Sequence, residues 1–123
     1  MPNVLIVDDS MFQRFALAKT VKGLGYDVIE AKNGQECLDA VARSAPDMIL
    51  LDLNMPVLNG FEVLEALQSQ KSTIPVVVVS ADIQESSRER CLKLGARAVL
   101  GKPFQDQKLA VLLSELVGAQ HSA

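Results

Sequence analysis

Five short apolar runs punctuate the 123-residue chain: "NVLIV" (3–7), "DVIEA" (27–31), "MILLD" (48–52), "VVVVS" (76–80) and "AVLG" (98–101). Three of them are unbroken rather than alternating. A strand with one solvated face alternates apolar and polar residues, whereas an unbroken run suits a strand covered on both faces, as in a parallel sheet. Segments of helical spacing separate the runs. Leu17, Thr20, Val21 and Leu24 recur at i, i+3, i+4 and i+7, and "GLG" (23–25) stops that helix. "NGQECLDAVA" (33–42) opens on a capping Asn33. "GFEVLEALQ" (60–68) and "QKLAVLLSELV" (107–117) keep the same period, and the more polar "QESSRERCLKLG" (84–95) ends at Gly95. Strand and helix thus alternate five times over short connections. This predicts an α/β fold: a doubly wound, five-stranded parallel sheet between two helical layers, in the strand order 2-1-3-4-5. Right-handed crossovers leave a crevice at the carboxyl ends of the strands where the order reverses.

The chain is long enough to bury one core, and no repeat or linker divides it, so residues 1–123 are expected to form one domain with no second, output domain. A net charge of −3 and scattered Lys and Arg argue against a nucleic-acid surface. No apolar stretch approaches the length of a membrane span, and "MPNVLIVDD" lacks the basic start and cleavage site of a signal peptide. A cytoplasmic, monomeric protein is the expectation. Cys37 and Cys91, without metal-like spacing, are expected to be buried free thiols.

The chemistry collects where the strands end. The first run leads into Asp8-Asp9, the third ends in Asp52, the fourth in Ser80, and the fifth leads into Lys102-Pro103. Two carboxylates about 4 Å apart repel by roughly 4 kcal/mol at an effective dielectric of about 20, so an offsetting charge is required. The predicted topology brings the ends of the first and third strands together at the switch point, with the hydroxyl and the ammonium alongside. A divalent cation and Lys102 together would balance three carboxylates. All-oxygen ligands favour Mg²⁺, Mn²⁺ or Ca²⁺, and the lack of His or Cys at these strand ends argues against zinc. A Mg²⁺ held by few carboxylates characteristically meets a phosphoryl group, and a lysine and a hydroxyl are natural partners for phosphoryl oxygens.

At these residues the sequence resembles the receiver domain of two-component response regulators, the family that includes the chemotaxis regulator CheY. The resemblance rests on "VDDS" (7–10), "DLNMPVLNG" (52–60), "VSA" (79–81) and "KPF" (102–104), in order and at family spacing across the whole chain. It implies a CheY-like, flavodoxin-like sandwich acting as a phosphoacceptor switch rather than a turnover enzyme. Asp52 matches the phosphoacceptor, and Asp9 and Asp52 match side-chain ligands of Mg²⁺, for which Mn²⁺ can substitute. Asp8 matches the acid that reaches the metal through water, and Asn54 the position whose backbone carbonyl completes the protein ligands. Ser80 and Lys102 match the groups that contact phosphoryl oxygens, and Pro103 matches a position where the family uses a cis peptide bond. The implied partners are a sensor histidine kinase or phosphotransfer protein, a downstream target protein whose binding depends on phosphorylation, with chemotaxis as one setting, and a dedicated phosphatase; no nucleic acid or membrane is implied.

The sequence departs from the family in places. The aromatic residue that usually stands three before the lysine is replaced by Val99, so no ring can swing between solvent and crevice, and Gly101 removes a side chain beside Lys102. Output is then expected to rely on the 81–87 loop and the following helix, whose only apolar anchors are Cys91, Leu92 and Leu94. Asn54 and Asp82, each two residues past a key position, are expected to line the path of the hydrolytic water. On the first helix, a core face of Gln13, Ala16, Leu17, Thr20, Val21 and Leu24 leaves Phe15 opposite it and Phe12 on its flank, a candidate partner surface beside the crevice.

Two other functions compete. A Mg²⁺-dependent phosphatase would want its aspartyl nucleophile and a nearby second acid on the first strand's loop, plus a substrate-holding cap, for which this chain is expected to have no room. A flavin or nucleotide binder would want a Gly/Ser/Thr-rich phosphate cradle there, and "DDSMFQR" is a poor one.

Overall fold

A computed structural model describes residues 2–81 and 84–121, the side chains through residue 117. Five strands and five helices alternate: β1 (Asn3–Val7), α1 (Met11–Gly23), β2 (Asp27–Ala31), α2 (Gly34–Ser44), β3 (Met48–Leu51), α3 (Gly60–Ser69), β4 (Val76–Ser80), α4 (Glu85–Lys93), β5 (Ala98–Gly101) and α5 (Asp106–His121). The strands form one parallel sheet in the order β2-β1-β3-β4-β5, as the alternation predicts.

The unbroken apolar runs are explained by the two faces of this sheet. Leu5, Val7, Ile49, Leu51, Val76 and Val78 point to one side, into a core shared with α2, α3 and α4. Val4, Ile6, Met48, Leu50, Val77 and Val79 point to the other, against α1 and α5. Successive residues of a strand face opposite ways, so a central strand with helices on both faces needs an apolar residue at every position. Each fully buried Leu, Ile or Val contributes about 1.5–3 kcal/mol. The edge strand β2, only partly covered, carries Asp27 and Glu30 at exposed positions.

Local signals set the helix starts. The Ser10 and Asn33 side chains accept from the amides of Gln13 and Glu36, capping α1 and α2. Asn59 and Glu62 close a reciprocal capping box on α3. Such caps are each worth about 1 kcal/mol. α1 stops where Leu24 donates back to the Thr20 and Val21 carbonyls and Gly25 adopts a φ of 97°, a conformation that glycine alone enters at little cost.

The phase of α1 differs from the periodicity expectation. Leu17, Ala18 and Val21 are buried and Arg14 is half-buried, whereas Gln13 and Ala16 are exposed and Leu24 lies 41% open. The helix is rotated by about one residue, which turns Gln13 toward the crevice. Helical spacing alone does not separate Ala16 from Ala18; packing against α5 and the sheet does.

Register brings the functional residues together. Val7 pairs with Leu51, so Asp8 and Asp52 leave the sheet side by side, and the Asp52 amide donates to the Val7 carbonyl at 3.0 Å. Ser80 pairs with Gly101, and the Lys102 amide donates to the Ser80 carbonyl at 2.9 Å.

Candidate functional site at the carboxyl edge of the sheet

Asp8, Asp9 and Asp52 each present a carboxylate oxygen within 4.8 Å of the other two. Asp8 is buried, Asp9 is exposed, and Asp52 keeps 8% of its surface. The cluster therefore has a closed floor and an open mouth. Lys102, reaching in from beyond β5, places Nζ 2.7 Å from Asp8 Oδ2 and 3.8 Å from Asp52 Oδ2. Its peptide bond to Pro103 is cis. Ser80 is fully buried at the end of β4. Asn54 is exposed, and its backbone N–H bonds the Asp52 carboxylate.

Asp52 is the electrostatically unusual member. Burial pushes its carboxyl above the ordinary range; Lys102 opposes this, Asp8 adds to it, and the N–H groups of Leu53 and Asn54 oppose it again. The Leu53 amide donates to Oδ1 at 2.8 Å. Immediately behind, Gly60 packs so closely that a Cβ there would sit 2.5 Å from the Asp52 carbonyl oxygen. The start of α3 thus buttresses the backbone that carries Asp52.

Three carboxylates against one ammonium leave an excess of negative charge in a partly desolvated crevice. The donor set is all oxygen, open on one side, and fits a hard divalent cation of the Mg²⁺ type that keeps several waters. The β1–α1 loop is a poor phosphate cradle by comparison, because the Ser10 amide already donates to Asp8 Oδ1 at 2.9 Å.

Two residues near the site were not singled out from the sequence as site residues. Gln13 Oε1 accepts a hydrogen bond from Lys102 Nζ. Arg14 donates from Nη1 to the Asp8 carbonyl at 2.7 Å and from Nε to Glu30 at 3.2 Å, pinning α1 to the end of β1 and to β2. The one available signal was position: both lie in the first turns of the helix that follows the paired acids.

The regions of departure are also defined. Val99 is buried in the core with Cys91 and Ala96. A groove of about 520 Å³ opens over Val99 and Gly101, bordered by Arg88, Phe104 and Lys108. Cys91 is the one buried residue of α4, Leu92 is 43% exposed, and Leu94 packs on the core from the side. Phe12 and Phe15 are both exposed on α1 beside the crevice. Asp82 lies outside the described residues. Cys37 and Cys91 are buried and not joined in a disulfide, and burial pushes the Cys37 thiol up to about 12. Among the described residues no helix is long and apolar enough to cross a membrane.

A doubly wound sheet with carboxylates, a lysine and a hydroxyl at its switch point defines an α/β domain carrying the donor set for a hard cation. The chain belongs to the response regulator receiver domain family, whose model matches residues 4–114, and it is a receiver domain of two-component signalling. It is 36% identical over 121 residues to the sensor protein EvgS of Escherichia coli K12, covering 98% of this chain and 10% of that protein. It is 38% identical to the transcriptional regulatory protein PrrA of Mycobacterium tuberculosis, covering 94% of this chain and 47% of that one. The chain thus spans between a tenth and a half of the length of these curated relatives. Among solved structures, the chemotaxis protein CheY4 of Vibrio cholerae superposes with a TM-score of 0.85 at 33% identity, over 94% of this chain and 98% of that one. The receiver domain of the sensor histidine kinase PA1611 of Pseudomonas aeruginosa superposes with a TM-score of 0.87 at 27% identity, over 95% and 98% of the two chains. That structure has a magnesium ion coordinated in its active site cleft.

Proposed function

We propose that this chain is a phosphoacceptor switch that takes a phosphoryl group from a sensor histidine kinase or phosphotransfer protein onto Asp52. The carrying observation is the convergence of Asp8, Asp9 and Asp52 with Lys102 above them. Asp9, Asp52 and the Asn54 backbone carbonyl would hold Mg²⁺, or Mn²⁺ in its place, with Asp8 engaged through water. The ion, when bound, supplies positive charge to the oxygens of the transferred group.

Asp52 supplies a carboxylate oxygen to the phosphorus, in line with the leaving nitrogen. The O–P bond forms as the P–N bond of a phosphohistidine breaks, and the electron pair returns to the imidazole. Lys102 places its ammonium against an equatorial oxygen and the Ser80 hydroxyl donates to another, so catalysis is positioning plus charge stabilisation. The resulting acyl phosphate is later cleaved by water, on the domain itself or with a dedicated phosphatase. The exposed Phe12 and Phe15, next to the mouth of the crevice, give an upstream partner an apolar surface to seat on. The weakly anchored α4 and the groove over Val99 are where a changed surface would be offered to a downstream protein, in chemotaxis or another pathway. The cytoplasm is the compartment that keeps thiols such as Cys37 and Cys91 reduced.

The test is intact mass after incubation with acetyl phosphate and Mg²⁺. The native protein is expected to gain the mass of one phosphoryl group and Asp52→Ala none. Equal gain in both excludes Asp52 as the acceptor.

A further inference from the structure

We propose that Gln13 is a positioning residue for Lys102, holding its ammonium just short of Asp52; this rests on Asp52 being the phosphoacceptor. An ammonium has three donors and no acceptor. Around Lys102 Nζ lie Asp8 Oδ2 at 2.7 Å, Gln13 Oε1, and Asp52 Oδ2 at 3.8 Å. The last distance is outside hydrogen-bond range. Lys102 therefore lends Asp52 its charge without forming a contact ion pair with the oxygen.

A contact pair would be a poor ground state for the transfer. It would draw the lone pairs of Oδ2 toward the ammonium, and the ammonium would have to be displaced before phosphorus or a cation could approach. Gln13 prevents this with a neutral acceptor. A third carboxylate facing the lysine would restrain it as well, but would add charge to a crevice that already holds three acids. The restraint has a rigid base. The Gln13 amide donates to the Ser10 cap at 3.2 Å, and Arg14, next along, ties the same turn to the Asp8 carbonyl at 2.7 Å. Gln13 and Lys102 also line the same cavity of about 490 Å³ between α1 and the start of α5, and Asp52 is not among the residues lining it. With the acceptor removed, the carboxylates of Asp8 and Asp52 still draw the ammonium, and it closes on Asp52.

The test uses Gln13→Leu, which keeps the bulk and deletes the acceptor, and Gln13→Glu, which keeps an acceptor oxygen at the same reach. Acetyl phosphate with saturating Mg²⁺ serves as donor, because it bypasses any docking role of α1. Gln13→Leu is expected to be phosphorylated about threefold to tenfold more slowly, the span of one net hydrogen bond, at an unchanged melting temperature. Gln13→Glu restores that bond but adds a charge, so its readout is position: its metal-free crystal structure should keep Lys102 Nζ beyond hydrogen-bond range of Asp52, as in native. A crystal structure of metal-free Gln13→Leu should show Lys102 Nζ at about 2.8 Å from Asp52, within hydrogen-bond range. A native rate for Gln13→Leu, Lys102 unmoved in the Gln13→Leu crystal, or Lys102 in hydrogen-bond contact with Asp52 in the Gln13→Glu crystal overturns the proposal. Those results leave Asp52 as acceptor intact, whereas equal labelling of native and Asp52→Ala, or no labelling of native, overturns both.

Discussion

Gly60→Ala probes the coupling between α3 and the backbone that carries Asp52. Gly60 is the first residue of α3, and its amide donates to the Leu53 carbonyl at 2.9 Å. A Cβ there would lie 2.5 Å from the Asp52 carbonyl oxygen, 2.8 Å from Leu53 Cα and 2.9 Å from Leu53 Cδ2. The first two are backbone atoms and cannot rotate away, so the helix start or the Asp52–Leu53 segment must shift. Overpacking of this kind costs about 1–3 kcal/mol, and a backbone obstruction belongs near the upper end. Alanine recovers less than about 1 kcal/mol through helix propensity and the stiffer unfolded chain. The net is a loss of about 2 kcal/mol, or roughly 8 °C in melting temperature for a chain of this size. Gly23→Ala is the internal control. It lies at the last position of α1, with nothing within 4 Å of a Cβ, and should gain about 0.5–1 kcal/mol from the same chemical change. Urea unfolding followed by far-UV circular dichroism measures both, since the chain has no tryptophan. Labelling by acetyl phosphate should also slow in Gly60→Ala and not in Gly23→Ala. A Gly60→Ala protein within about 0.5 kcal/mol of native, the usual scatter of neutral substitutions, would refute the buttress.

Asp52→Asn should stabilise the metal-free protein at neutral pH. With the folded carboxyl held above its usual 3.8 by burial, folded chains keep a proton that unfolded chains release, so stability falls as pH rises from 3.8 through the raised value. The gain from the amide should be full at pH 7 and vanish below pH 3.8, where both states are protonated; an Asp52→Asn variant less stable than native at pH 7 would contradict it. Mg²⁺ should raise the melting temperature of the native protein, by the equivalent of about 2.7 kcal/mol at roughly 100 times its dissociation constant. Asp9→Ala and Asp52→Asn should both blunt that rise in a thermal scan. On α4, the Arg90 guanidinium lies 4.1 Å from the Phe61 ring centre and 3.5 Å from Glu65, both at half-exposed positions. Arg90→Ala should cost about 0.5–1 kcal/mol and speed amide exchange along α4, while an unchanged exchange pattern would show that the α3 contact does not restrain that helix.

Strand and helix order, the parallel sheet and the set of acids at its carboxyl edge were determined by the sequence alone. Each rests on a short-range cause: unbroken apolar runs such as "VVVVS", caps such as Asn33, and stops such as Gly25 act within a few residues. Tertiary structure decided the rest. Lys102 meets Asp8 across 94 positions of sequence, and Gln13 meets Lys102 across 89. The phase of α1, which buried Ala18 instead of Ala16 and turned Gln13 to the crevice, came from packing against α5 and the sheet. A helical repeat is satisfied equally by neighbouring small residues, so only the surface that a helix meets can choose among them, and with that choice goes the partner of the lysine.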